Sequence, residues 1–131
     1  MRIEEQRMRR SVIKSLFLIV VCAILLSSCG ERRKAKATIE TFLSENMKSH
    51  DYYADLYSLD STWRVSDVAL EQMRRNVDPY GIYKGGVKFA ERDKSGKLMF
   101  MRGMIIMGND TFRQTFYLNP DLKGIVAIKE N

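Results

Sequence analysis

Residues 98–118, Leu98-Met99-Phe100-Met101-Arg102-Gly103-Met104-Ile105-Ile106-Met107-Gly108-Asn109-Asp110-Thr111-Phe112-Arg113-Gln114-Thr115-Phe116-Tyr117-Leu118, form two apolar runs broken at Gly108-Asn109-Asp110. Runs of this length around a turn triplet predict an antiparallel strand pair. The alternation places Leu98, Phe100, Met104 and Ile106 on one face of the first strand. It places Phe112, Gln114, Phe116 and Leu118 on one face of the second. The expected buried face therefore unites Leu98, Phe100, Met104, Ile106, Phe112, Phe116 and Leu118. The opposite face of the first strand, Met99, Met101, Ile105 and Met107, is also apolar. A sheet apolar on both faces must cover both, with a second helix or with a partner. Methionine adapts readily to a contact surface, which makes Met99, Met101 and Met107 a candidate binding surface.

Working outward, Asn119-Pro120-Asp121 breaks the second strand, and Gly124 to Lys129 offers a short last one. Upstream, Asp93-Lys94-Ser95-Gly96 supplies a turn, and Gly81 to Arg92 alternates weakly as a fourth strand. Ser66 or Asp67 caps a helix running to about Asn76, with Ala69, Leu70, Met73 and Val77 inward and Asp78-Pro79 as its stop. Ala35, Ile39, Phe42, Leu43 and Met47 recur at three- and four-residue steps, the pattern of an amphipathic helix over residues 34–49. The expected fold is α+β: an N-terminal amphipathic helix, with a second short helix, packed on a four-stranded antiparallel meander.

Residues 51–63 have neither a clean period of two nor of 3.6, and read as an extended or irregular crossing segment. They bring together Tyr52, Tyr53, Tyr57 and Trp63, amphipathic side chains of the type that anchor contacts. The plainer use of these four rings is packing on the sheet.

Catalytic chemistry finds few candidates. His50 is the only histidine, and no Gly-rich phosphate loop, HExxH or GxSxG occurs. Asp51, Asp55 and Asp60 read as solvated carboxylates, and Asp93 to Gly96 offers too few oxygens for a calcium cage. The chain is expected to be non-enzymatic, with no cofactor and no metal.

The N-terminus decides location. Arg2, Arg7, Arg9, Arg10 and Lys14 precede the apolar run Leu16 to Leu26, followed by Ser27-Ser28-Cys29 and the charged stretch Glu31-Arg32-Arg33-Lys34. That is the basic, apolar and small-residue order of a secretory signal. The run falls short of the about 20 apolar residues that a spanning helix needs. Leu26-Ser27-Ser28-Cys29 resembles the lipobox of bacterial lipoproteins. The resemblance implies a signal peptide over residues 1–28, diacylglyceryl transfer to the Cys29 thiol and cleavage that leaves Cys29 as the first mature residue. A lipid-proximal linker (29–34) and a single domain (35–131) follow. Because one acyl chain binds membrane only marginally, the several chains of a lipoprotein make the attachment stable. Gly30 after the cysteine, in place of the Asp that resembles an inner-membrane retention signal, points to the outer membrane in a Gram-negative cell.

Without residues 1–28 the net charge falls from +6 to +3, and much of the excess sits in Arg32, Arg33, Lys34 and Lys36 beside the anchor. These residues either meet anionic headgroups or form a solvated spacer. The compartment and the lack of a basic patch elsewhere exclude a nucleic-acid partner. Of the two cysteines, Cys22 lies in the expected signal and Cys29 takes the lipid, so the mature domain keeps no thiol.

The order of a long helix followed by an antiparallel sheet, over residues 36–129, resembles the cystatin-like and NTF2-like architectures of small envelope lipoproteins of Bacteroidota type. That resemblance bears on the fold; the lipobox, the missing catalytic motifs and the candidate contact surfaces together point to a membrane-tethered, non-catalytic binding or assembly module whose expected partners are the membrane, through Cys29, and an envelope protein. The cystatin-like outline also implies an alternative, an envelope inhibitor or immunity-type protein blocking a hydrolase. Its wedges would be the tips Asp93 to Gly96 and Gly108 to Asp110.

Overall fold

The computed structural model describes the backbone of residues 2–131 and the side chains of residues 9–20 and 29–131. The elements run α1 (Arg2–Asn46), β1 (Tyr53–Thr62), α2 (Asp67–Arg75), β2 (Leu98–Met107), β3 (Asp110–Leu118) and β4 (Ile125–Glu130). Two compact units divide the chain, Met1–Glu31 and Arg32–Asn131. Among the described residues no helix is long and apolar enough to cross a membrane. The side chains of Cys22, Leu26, Ser27 and Ser28 lie outside the described residues.

The second unit is α+β. Its one sheet is an antiparallel meander in the order β1-β2-β3-β4, a layout compatible with a cystatin-like outline. The expected inner face of the long helix holds: Ala35, Ile39, Phe42, Leu43 and Met47 are all buried against the sheet. The helix ends three residues earlier than its periodicity suggests, because the Lys48 amide turns to the Ile82 carbonyl (3.0 Å) and Lys84 N bonds Asn46 O (2.7 Å). Ser66 caps α2 as expected, its hydroxyl accepting from the Ala69 amide at 3.1 Å.

The four strands are not the four expected. Residues 81–92 form no named strand; their only ladder contact is the bridge between Tyr83 and Met47. Gly81 (φ +70°) and Gly86 (φ +74°) hold left-handed backbone that cannot continue a strand. The segment is pinned by isolated hydrogen bonds instead, from backbone at Ile82, Lys84 and Ala90 and from side chains. The Asp78 carboxylate accepts from the Ile82 and Tyr83 amides, and Asn119 bridges the Glu91 carbonyl and the Asp93 amide.

The fourth strand is β1, the segment without a period. Its pairing with β2 shifts register between Leu56 and Leu59. The bulge puts Ala54 and Leu56 on the helix side and, three residues on from Leu56, Leu59 and Ser61 on that same side, which erases the alternation. Arg32 donates to the Leu56 and Tyr57 carbonyls at 3.4 and 3.3 Å, so an arginine guards part of this outer edge.

The faces of β2 are reversed from expectation. Met107-Gly108-Asn109-Asp110 is a two-residue hairpin, with Gly108 at φ +60° in the first central position, as in a type II′ turn. It pairs Met101 with Phe116, Ile105 with Phe112 and Met99 with Leu118. The face under α1 is therefore Met99, Met101, Ile105 and Met107 together with Phe112, Phe116 and Leu118. Leu98, Phe100, Met104 and Ile106 point to the other side. There α2 covers one end, where Leu70 packs with Leu98, Val126 and Ala127. Arg74 fastens it by donating to the carbonyls of Val126 (2.9 Å) and Ala90 (3.0 Å).

Candidate binding surfaces

The reversal redistributes the expected contact residues. Met101 is fully buried, and Met99 and Met107 pack against the helix-side core, so these three form no open surface. The hairpin register explains why, since it sets Met99 opposite Leu118 and Met101 opposite Phe116 on the side that α1 covers. Tyr52 packs on the same core. Tyr53, Tyr57 and Trp63 are exposed, at 65%, 42% and 66%.

An open apolar surface exists on the opposite face. Tyr53 pairs with Ile106 and Asp55 with Met104. Phe100, Met104 and Ile106 are half-buried and lie beyond the apolar cluster that α2 closes. Beside them a cavity of about 490 Å³ is lined by Tyr57, Arg102, Gly103, Met104, Arg113 and Asn131. The Arg102 guanidinium stands 5.6 Å from the Phe100 ring centroid, and Phe100 in turn contacts Tyr117 at 6.0 Å. Among the described residues the ion pairs are Lys36–Glu40, Arg74–Glu71 and Arg92–Asp67, which leaves Arg102 and Arg113 without a carboxylate partner. The surface thus combines aromatic and thioether area with two cations outside any ion pair, and Asp55 and Asp60, opposite Met104 and Phe100, put two carboxylates along its β1 side. The structure brings together Tyr53 and Tyr57 of the expected set and adds Phe100, Met104 and Ile106, which the alternation alone assigns to the face under α1.

A second concavity, about 420 Å³, runs between α1 and the segments at 88–90 and 123–125. Lys34, Lys88 and Lys123 stand on its rim, Thr38, Thr41 and Glu45 line the helix side, and Phe42, Ala90 and Ile125 supply apolar wall.

Two titratable groups raised by burial, Tyr83 and Glu130, form a structural chain in neither cavity. The Tyr83 hydroxyl donates to the Gln114 side-chain carbonyl, and the Gln114 amide donates to Glu130. Burial, with the Glu130 charge adding to it, holds the Tyr83 phenol far above its ordinary range. Burial likewise raises the Glu130 carboxyl, against the Gln114 hydrogen bond that lowers it. A phenol so raised stays neutral and acts here as a donor that satisfies a buried amide. His50 is exposed, and no group of three or more potential metal ligands occurs among the described residues. Cys29 is exposed and unpaired in any disulfide.

No protein-family model, curated protein or solved structure matches the chain.

Proposed function

We propose that this chain is a bacterial lipoprotein, tethered through Cys29, whose domain acts as a non-catalytic binding or assembly module in the cell envelope, with the outer membrane as its place in a Gram-negative cell. The observation that carries the binding role is the open sheet face of Phe100, Met104, Ile106 and Tyr53, with Asp55 and Asp60 along its β1 side and Arg102 and Arg113, outside any ion pair among the described residues, on the other. It fits an envelope protein that presents apolar side chains next to carboxylates: the apolar part gains by leaving water and the acid sets orientation. The sequence Leu26-Ser27-Ser28-Cys29 supports the tether, and the exposure of Cys29 agrees with access by a modifying enzyme. An inhibitor would use the tips at 93–96 and 108–110, but these carry only Asp, Lys, Ser, Gly and Asn, which give a hydrolase cleft no apolar wedge.

Two measurements test the two halves. Labelling with an alkyne fatty acid should mark the wild type and leave Cys29→Ser unmarked; equal labelling refutes the tether. A photocrosslinking residue at Ile106 should trap one discrete protein adduct in native membranes. Met104→Asp should abolish that adduct without lowering the melting temperature. No adduct at Ile106, or one untouched by Met104→Asp, refutes the binding face.

A further inference from the structure

The lysine-rimmed groove beside α1 has a built lip. Leu122 adopts left-handed backbone at φ +60°, a conformation that side chains with a Cβ rarely take. It is held there by its burial and by two hydrogen bonds: Thr38 Oγ1 on α1 donates to the Leu122 carbonyl at 2.6 Å, and Leu122 N bonds the Asn119 carbonyl at 2.9 Å. The next residue is Lys123, whose amide is fixed by the Asp121 carboxylate at 3.0 Å. Facing the groove from the other segment, Lys88 lies two residues before Ala90, whose amide is tied to the Ile125 carbonyl at 2.8 Å. Lys34 completes the rim from the helix. Three cations are thus gathered at one groove from three separate segments, and none belongs to an ion pair among the described residues. Glu45 is the one acidic group in the lining.

Chain length says what lies near this rim. Lys34 follows Cys29 by five positions, and even fully extended that stretch spans at most about 18 Å. A lipid on Cys29 therefore keeps Lys34 within about two Debye lengths of the membrane surface. We infer that the groove of Lys34, Lys88 and Lys123 docks on the phosphate headgroups of anionic phospholipid in the membrane that carries the protein. This inference rests on the tether and goes beyond it, because a tether alone fixes distance and leaves orientation free. Headgroup contact at three points fixes orientation as well, and so decides which way the open sheet face looks. The apolar wall of Phe42, Ala90 and Ile125 suits the glycerol and upper acyl carbons below a phosphate.

The test uses the full lipidated chain in vesicles and reads amine acylation, residue by residue, by mass spectrometry. Lys84 is the internal reference. It is exposed and its amide donates to the Asn46 carbonyl, twelve helical residues or about 18 Å along α1 from Lys34. Moving from neutral phosphatidylcholine to phosphatidylglycerol vesicles should slow acylation of Lys34, Lys88 and Lys123 about fivefold relative to Lys84, the size that attraction of one lysine to an anionic surface gives. High salt should restore the rates. Equal rates in the two vesicles, or equal slowing of Lys84, overturn the inference. So does full protection by millimolar inorganic phosphate in neutral vesicles, which would make the groove a site for a free anion. The mass of the N-terminal peptide, read from the same digest, reports acylation of Cys29. Protection in a sample without the acyl group keeps the groove and refutes the tether, so the two fail separately.

Discussion

Gly103 shows how little space the sheet leaves at its tightest point. A Cβ built there would stand 2.6 Å from Leu56 Cδ2 and 2.8 Å from the Asp55 carbonyl oxygen. The leucine tip can move, but the carbonyl belongs to β1 and moves only with the strand. Gly103→Ala is therefore expected to destabilise by about 1–3 kcal/mol, the range of overpacking, and the lowered midpoint of urea unfolding would show it. Tyr83 presents the converse case, a large side chain whose polar end is committed. Tyr83→Phe keeps the packing with Phe42 but leaves the Gln114 carbonyl without its donor in a fully buried position. The expected loss is about 1–3 kcal/mol, read by the same method. At this scale the chain resists substitution where a backbone atom or a buried polar atom has no second option.

The hairpin of β2 and β3 decides which apolar face becomes core. Phe116 and Met101 are opposite each other and both fully buried under α1. Phe116→Ala should cost about 3–5 kcal/mol, a large share of the roughly 5–15 kcal/mol that holds a small domain. A paired substitution separates the faces. Met101→Asp places a carboxylate in the core and is expected to unfold the domain, whereas Met104→Asp leaves it partly in water and should leave the melting temperature nearly unchanged. If both variants unfold, the face that carries Met104 is a closed layer and the proposed binding face does not exist. Circular dichroism melts of the two variants side by side make the comparison.

Across the whole molecule, stability should depend on pH through Glu130, the last residue but one, which joins the end of the chain to the core by way of Gln114. Burial raises its carboxyl in the folded state. A group whose folded value is raised favours folding while protonated, and that contribution is lost as pH rises through the folded value. Glu130→Gln removes this loss. The melting temperature of the variant relative to the wild type should therefore be higher at pH 7 than at pH 4. A difference independent of pH would mean that Glu130 is solvated in the folded protein.

The local sequence by itself determined the two helices of the domain, because their signals sit within a few residues: the three- and four-residue spacing of Ala35, Ile39, Phe42, Leu43 and Met47, and the Ser66 hydroxyl beside the amide it caps. It also determined the antiparallel class of the sheet, through turn residues such as Gly108 and Asn109. The face of β2 was legible in principle, since a two-residue turn ending at Met107 and Asp110 sets Met101 against Phe116. Alternation alone missed it because both faces of β2 are apolar and period two cannot rank them. Only tertiary structure made residues 53–62 a strand, since an edge strand with a bulge has no period until its partner supplies the register. Only tertiary structure, too, turned residues 81–92 into a pinned loop and gathered Lys34, Lys88 and Lys123 around one groove. Those outcomes depend on contacts between residues dozens of positions apart, where no local pattern records which side chains will meet.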